Sequence, residues 1–401
     1  MGDIVLGLGG TVDFEIEWDA AVLQQLILEH SIREHELLTT PPSATVAIDS
    51  ERALVLTILA FLATGSGGER FVESSAVVEA FAARFTTAVT LGGTGVRAGI
   101  ALDSLGVASV QHLVSIDDNV RRLLPASTRY VSSATRDTLD PHVIVQYPAG
   151  TRLRVGDREL VTPHANRLIF ANDPPNREMA LSADLPAALA DADVFLISGF
   201  NTMTDADLLA ARLDDLVRAM ATLPAEAVVY FEDAGYYQRD LARLPRERLL
   251  SRIDAYGMNE DELQEYLGRP LDLLNPTEVA DALRAAHTLI PAPALVVHTK
   301  YWAIAVGPEA ERHRASLESA VRMAATRYRL GDGHTAEDFE ATALVPRHAA
   351  GALVVRHVED ALPAAGVPAH VIETETPTTI GLGDTFVGGF LAPIARARNR
   401  A

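Results

Sequence analysis

Val194-Phe195-Leu196-Ile197, a helical stretch over Asp205–Thr222, and then Ala227-Val228-Val229-Tyr230-Phe231 decide the fold class. Both short runs are apolar at every position, the mark of strands covered on both faces of a parallel sheet. The pattern repeats downstream: a helix over Leu241–Arg252, a short strand Ala255-Tyr256-Gly257-Met258, a helix over Glu260–Leu267, a strand over Ala294–His298, and a later strand read at Ala352–Val355. Alternating strand and helix is the doubly wound α/β succession.

Towards the N-terminus the period changes. Ile4–Leu8 reads as a buried strand ending at Gly9-Gly10. Val12-Asp13-Phe14-Glu15-Ile16-Glu17-Trp18 then alternates apolar and acidic residues, which gives a half-exposed strand of a different sheet. A helix over Ser50–Ala63 is followed by a glycine-rich break, Gly65-Ser66-Gly67-Gly68. Val89-Thr90-Leu91 runs into Gly92-Gly93-Thr94-Gly95 and a small-residue helix as far as Leu105. A second alternating region spans Tyr130–Arg154 around Val143-Ile144-Val145-Gln146-Tyr147. These alternating segments predict a small second sheet covering the large one.

Composition narrows the function. With 401 residues, 48% of them hydrophobic and 22% charged, the chain can bury a large core. No apolar run reaches the ~18 residues of a membrane span, and Met1 leads into Asp3-Ile4-Val5-Leu6 with no basic segment, so a cytoplasmic protein is expected. There is no cysteine, which excludes disulfides, thiolate catalysis and thiolate-bound metals. A formal charge of −20 repels nucleic acid in the absence of a basic patch, and none is found. Lys300 is the only lysine, so the positive charge is almost all arginine.

Three stretches carry chemistry. Thr378-Thr379-Ile380-Gly381-Leu382-Gly383-Asp384-Thr385-Phe386 places two glycines and an aspartate before a helix over Thr385–Ala395. Glycines let backbone amides turn inward, and a helix N-terminus adds partial positive charge, so Gly381, Leu382 and Gly383 would form an anion hole. Asp384 would accept the proton of an attacking hydroxyl; the alternative is a plain N-cap. Asn259 and Glu262 lie three apart at a helix start, suited to holding a divalent cation through water or to a simple capping box. Glu232 and Asp233 end the strand Val228–Phe231, where ligands bind in open α/β sheets; the alternative is a pair of ordinary loop acids. Other templates fail. No Gly-Lys pair exists for a phosphate-binding P-loop, and neither a His-Glu-x-x-His nor a Gly-x-Ser-x-Gly occurs.

These pieces, in this order, resemble the ADP-dependent glucokinases and phosphofructokinases, a branch of the ribokinase superfamily. The resemblance covers most of the chain. It includes Gly92-Gly93, Asn166-Arg167-Leu168-Ile169, the Asn259–Glu262 motif, Val297-His298-Thr299 and Gly381–Asp384, the last only 17 residues before the C-terminal residue. It implies an α/β, Rossmann-like ribokinase fold, a central mostly parallel sheet flanked by helices, with a smaller β-rich lid. Over 1–401 the large domain would take about 1–12, 41–62, 86–126 and 177–401, and the lid about 13–40, 63–85 and 127–176.

The resemblance further implies ADP as phosphoryl donor, AMP as product, and Mg²⁺ or another divalent cation. Asp384 would be the base and Arg167 would contact the transferred phosphoryl group. Glu262, with Glu232 and Asn259, would organise the metal. Asp13, Glu69, Gly92 and Gly93 would bind the sugar, and His298 and Thr299 the nucleotide. Where the family often has His-x-Glu, this chain has Tyr230-Phe231-Glu232, which loses the histidine. Glu69 favours glucose, whereas Arg97, Arg152 and Arg154 would serve fructose 6-phosphate; both acceptors stay open. The short tail after Asp384 favours ADP over an ATP-dependent sugar or nucleoside kinase of the same superfamily. A non-catalytic sugar- or nucleotide-binding protein is the remaining alternative. The expected partners are a sugar and a nucleotide, with no nucleic acid and no membrane.

Overall fold

The computed structural model describes residues 2–39, 47–374 and 377–398. Its strands are β1 (Asp3–Leu6), β2 (Thr11–Ile16), β3 (Gly68–Phe71), β4 (Thr87–Gly92), β5 (Ser109–Leu113), β6 (Thr128–Ser132), β7 (His142–Tyr147), β8 (Arg152–Val155), β9 (Arg158–Val161), β10 (Asn166–Ala171), β11 (Ala192–Ile197), β12 (Val228–Glu232), β13 (Ala255–Asn259), β14 (Ala294–His298), β15 (Trp302–Val306) and β16 (Ala364–Pro368). Nine of them form one sheet in the order β16-β15-β14-β13-β12-β11-β1-β5-β6. The run from β14 to β6 is parallel throughout, and β15 and β16 add an antiparallel edge. This is the mostly parallel, helix-flanked sheet that the apolar runs predict.

Alternate residues of these strands feed two cores. Val5, Phe195, Ile197, Val229 and Phe231 face one layer of helices. Leu6, Leu196, Tyr230 and Val296 face the other, where the helix Leu382–Arg398 packs beside Thr94–Ser104 and Arg314–Leu330. Strand order reverses between β11 and β1, which opens a crevice at their carboxyl ends, the place where doubly wound folds bind ligands. The chain leaves the large sheet at that crevice and enters β2.

The smaller sheet has the order β3-β10-β7-β2-β4. β2 pairs parallel with β7 and antiparallel with β4, so Asp13 stands beside His142 on one side and Thr90 on the other. Its apolar face is covered by the helices Ala20–Glu29, Glu51–Thr64 and Ser75–Ala82. Glu51–Thr64 is apolar nearly all round, and Leu54, Val55, Ile58, Leu59, Phe61 and Leu62 are buried, as such a helix must be.

Three parts of the sequence reading change. β4 and the helix Glu51–Thr64 belong with the small sheet, where the expected division puts 86–126 and 41–62 in the large domain; β6, which that division puts in the lid, is the edge of the nine-stranded sheet. The reason is that β4 hydrogen-bonds to β2, and an all-round apolar helix does not reveal which sheet it covers. The boundary at 40–41 lies outside the described residues. Ala352–Val355 is not a strand but part of the helix Ala349–Ala361, which buries Val354, Val355 and Val358 on one face. Spacing of one and four residues marks a helix face, and packing overrides the β-preference of valine. Leu241–Arg252 is a short helix, Arg243–Leu249, with a 3₁₀ turn at each end. Among the described residues no helix is long and apolar enough to cross a membrane.

Candidate active site

Gly381 has φ +64°, in the left-handed region, and a Cβ there would collide with the Arg97 side chain. Only glycine fits that turn. The helix Leu382–Arg398 begins immediately after it, three residues earlier than the sequence suggests, and the Thr385 amide donates to the Gly381 carbonyl at 3.0 Å. The amides of Leu382, Gly383 and Asp384 therefore open the helix with no acceptor in its own ladder, a site suited to an anion. Asp384 lies inside the first turn and does not act as the N-cap. Its Oδ1 accepts from the Thr94 hydroxyl at 2.8 Å, and its Oδ2 is 4.0 Å from Arg97 Nε.

Arg97 is the buried centre of a cluster of carboxylates. Its side chain is only 3% exposed, and Nη2 donates to Asp13 Oδ2 at 3.0 Å. Glu15 and Asp332 approach the same guanidinium at 3.8 and 3.9 Å. Burial opposes its charge, but Asp13, Asp384 and Asp332 outweigh that cost and raise its pKa further. Asp332 is also gripped by the buried Arg327, with Nε at 2.7 Å and Nη2 at 3.1 Å. Arg97 thus faces carboxylates through Nη2 and Nε, while its buried Nη1 has no hydrogen-bond partner among the described residues. Arg152 pairs with Glu159 on the exposed β8–β9 hairpin.

Asp13 is buried, and its Oδ1 accepts from the Thr11 hydroxyl at 2.7 Å. A Cβ at Gly92 would strike the Asp13 carboxylate, so glycine is needed where β4 passes it. Gly93 precedes the helix Thr94–Ser104 with φ +88° and sets the entry of Thr94. Beside Asp13, His142 bonds Asp173 at 2.9 Å, and Asn176 joins Asp173 to the Gly10 carbonyl. Burial alone would lower the His142 pKa, but Asp173, then Asp13 and Glu69, hold it above its ordinary value. The sequence reading missed His142 and Thr94; the signal for both was their place beside Asp13 and after Gly93, visible once β2, β7 and β4 are paired.

Arg167 and Glu69 line a cleft of about 780 Å³ with Gly67, Gly68, Gln146 and Asn166. Pro377 and Thr379, just before the glycine turn, close its other side, and the Thr379 hydroxyl reaches Gln146 at 3.3 Å. The small sheet and the glycine turn therefore face each other across this space.

Glu232 has both oxygens engaged: Oε1 with His298 Nε2 at 2.9 Å, and Oε2 with the Tyr230 hydroxyl at 3.1 Å. The imidazole of His298 stacks on Phe386, with ring centroids 4.5 Å apart, directly under the glycine turn. Burial would lower the His298 pKa, and Glu232 reverses this, raising it. Tyr230 thus takes a hydrogen-bonding place beside Glu232, while an imidazole comes to that glutamate from β14. Asp233 turns away to the hydroxyls of Tyr256, at 2.6 Å, and Tyr266. Thr299 closes the β14–β15 turn: its hydroxyl donates to the Trp302 carbonyl and accepts from the Tyr301 and Trp302 amides.

Asn259 and Glu262 form a capping box: Asn259 Oδ1 accepts from the Asp261 and Glu262 amides, and Glu262 Oε2 accepts from the Asn259 amide at 2.7 Å. Burial, and then repulsion from Glu232 and Asp233, pushes Glu262 from 4.5 up to about 8, against the pull of its amide bond. Among the described residues no group of three or more acidic or imidazole side chains is close enough to cage a metal directly. Glu262 and Glu232 still fit a cation held through water and substrate oxygens, since two crowded carboxylates are eased by positive charge.

The shift sets a pH prediction. A carboxyl with a raised folded pKa contributes stability that is complete below pH 4.5 and is lost as pH rises through about 8. The metal-free protein should therefore lose on the order of a few kcal/mol over that window, and Mg²⁺ should reduce the loss. Glu262→Gln keeps an acceptor for the Asn259 amide, so it should flatten the profile and raise the Mg²⁺ needed for half-maximal turnover. Thermal melts at pH 5 and 8.5, with and without Mg²⁺, check this; identical profiles for both proteins would leave the segment a capping box alone.

Residues 2–391 match the model of a family described as the ADP-specific phosphofructokinase/glucokinase conserved region. The chain is 24% identical over 302 residues to an ADP-specific phosphofructokinase of Thermococcus zilligii, covering 66% of this chain and 64% of that protein. It is 25% identical over 217 residues to the ADP-dependent glucokinase of Bos taurus, covering 52% of this chain and 41% of that protein. The matched part is thus less than two thirds of either relative. A crystal structure described as a hypothetical ADP-dependent phosphofructokinase from Pyrococcus horikoshii superposes with a TM-score of 0.78 at 19% identity, covering 100% of this chain and 99% of that one. At that identity the likeness establishes the fold.

Proposed function

The chain belongs to the ADP-specific phosphofructokinase/glucokinase family, and from that premise we propose that it is an ADP-dependent hexose kinase acting on glucose, fructose 6-phosphate or both. The observation that carries this reading is the meeting of Asp384, at the mouth of a helix N-terminus, with Asp13 of the small sheet through one buried guanidinium, Arg97.

The acceptor sugar lies against Asp13, Gly92 and Glu69. Asp384, oriented by Thr94, takes the proton of the attacking hydroxyl as that oxygen bonds to the β-phosphorus of ADP. The bond between the β-phosphorus and the bridging oxygen breaks, and AMP leaves with the electron pair. The amides of Leu382 and Gly383 hold the oxygens of the group in flight, and Arg167 approaches it from across the cleft. Glu262 and Glu232 would hold a divalent cation through water, and such a cation would supply charge neutralisation at the phosphate oxygens. His298, packed under the turn, fixes Glu232. The small sheet acts as a lid, and its closure over the crevice excludes water, the competing acceptor. Turnover of glucose and fructose 6-phosphate with ADP and Mg²⁺, followed by AMP release, tests the reading; no turnover with either sugar contradicts it.

A further inference from the structure

Tyr237 has no part in the chemistry above, yet it joins the large sheet to the small one. It lies five residues after Glu232 in the loop that leaves β12. Its amide donates to the Asn201 carbonyl at 3.3 Å, and Asn201 Nδ2 donates to the Gly235 carbonyl at 3.4 Å, which anchors the loop to the large sheet. From there the phenol hydroxyl reaches the small sheet and donates to Glu69 Oε2 at 2.7 Å. The ring packs on Phe71 with centroids 4.3 Å apart, and the Arg177 guanidinium also lies over Phe71 at 5.2 Å.

Glu69 needs such a partner. It sits on β3, the edge of the five-stranded sheet, paired only with β10, and its side chain is exposed. A glutamate there samples many rotamers, and fixing it costs side-chain entropy. A phenol–carboxylate bond is charge-assisted and short, and sets one oxygen in place. Among the described residues no donor reaches Oε1, which is left to accept from a ligand in the cleft that Glu69 lines. Burial, and then Glu69 and Asp173, raises the Tyr237 pKa far above its ordinary value, so the hydroxyl stays a donor.

Resting on the hexose-kinase reading, we infer that Tyr237 is a specificity-determining residue: by holding Glu69 it aims a carboxylate at the hydroxyl of a neutral hexose and against the phosphate of a phosphorylated one. A fixed negative charge accepts from a sugar hydroxyl and repels a phosphate ester, whereas a mobile one can swing away and does neither well. Tyr237→Phe keeps the ring on Phe71 and removes only the hydrogen bond.

The test is calorimetric titration of glucose and of fructose 6-phosphate, with AMP present, into wild type, Tyr237→Phe, Glu69→Ala and the double variant. Tyr237→Phe should weaken glucose binding about 3- to 10-fold and leave fructose 6-phosphate binding unchanged or tighter. In the Glu69→Ala background the same change should do nothing more. An equal loss for both acceptors, an equal loss with and without Glu69, no loss, or no glucose binding by wild type would each overturn the inference. Turnover with ADP, measured on the same samples, reports separately on the kinase reading: Glu69-dependent glucose binding without turnover would remove the kinase and keep the role of Tyr237.

Discussion

Asp384→Asn is expected to lower kcat by roughly 10²–10⁴ with little change in melting temperature or nucleotide affinity. Asparagine can still accept the Thr94 hydrogen bond through its carbonyl oxygen, and the glycine turn does not depend on the carboxylate. The capacity to take a proton is lost, together with the charge that faces Arg97 Nε at 4.0 Å. Steady-state kinetics beside equilibrium ADP binding separates the two effects. Near-normal turnover would remove Asp384 as the base and leave it a structural partner of Thr94.

Arg97→Met should destabilise the protein by about 3–5 kcal/mol. The buried guanidinium sits among Asp13, Glu15, Asp332 and Asp384, and among the described residues only Asp332 has another arginine, Arg327, gripping it in the same cluster. Methionine of similar length fills the space but leaves Asp13, the buried carboxylate of the four, without its cation, so the cost is that of one uncompensated buried charge. Because Arg97 links the β2 aspartate to the helix that carries the base, any folded variant should also lose turnover. Urea unfolding of the variant gives the stability change. A loss below about 1 kcal/mol, the size of a surface ion pair, would show that the cluster is screened by water and does not hold the site together.

Much of the fold was legible because its strongest signals are local. Continuous apolar runs gave β11, β12 and β14, and the alternating run gave β2 in a second sheet. The division between the sheets was less legible. β4 and the helix Glu51–Thr64 join the small sheet through pairing and packing with residues far away in sequence. Ala352–Val355 misled because three β-branched or bulky residues suggest a strand locally, while the helix is fixed by the sheet it covers. In the site, Gly381–Asp384 could be read from its glycines, and Asn259–Glu262 from its spacing. The same spacing also offered the capping box that Asn259 and Glu262 form; what it could not show is that His298 engages Glu232 or that Arg97 is buried under Gly381. Both depend on contacts between segments tens to hundreds of residues apart.

Donor choice tests the central claim most directly. A site that places the β-phosphorus of ADP at the Gly381–Asp384 turn would misplace the γ-phosphorus of ATP, and a ~1 Å error in reacting geometry costs about 10²-fold. Purified protein with Mg²⁺ should convert glucose, fructose 6-phosphate or both with ADP, releasing one AMP per phosphosugar, at a kcat/KM about 10² times that with ATP. Faster turnover with ATP, releasing ADP, or no phosphosugar with either donor, would contradict the account.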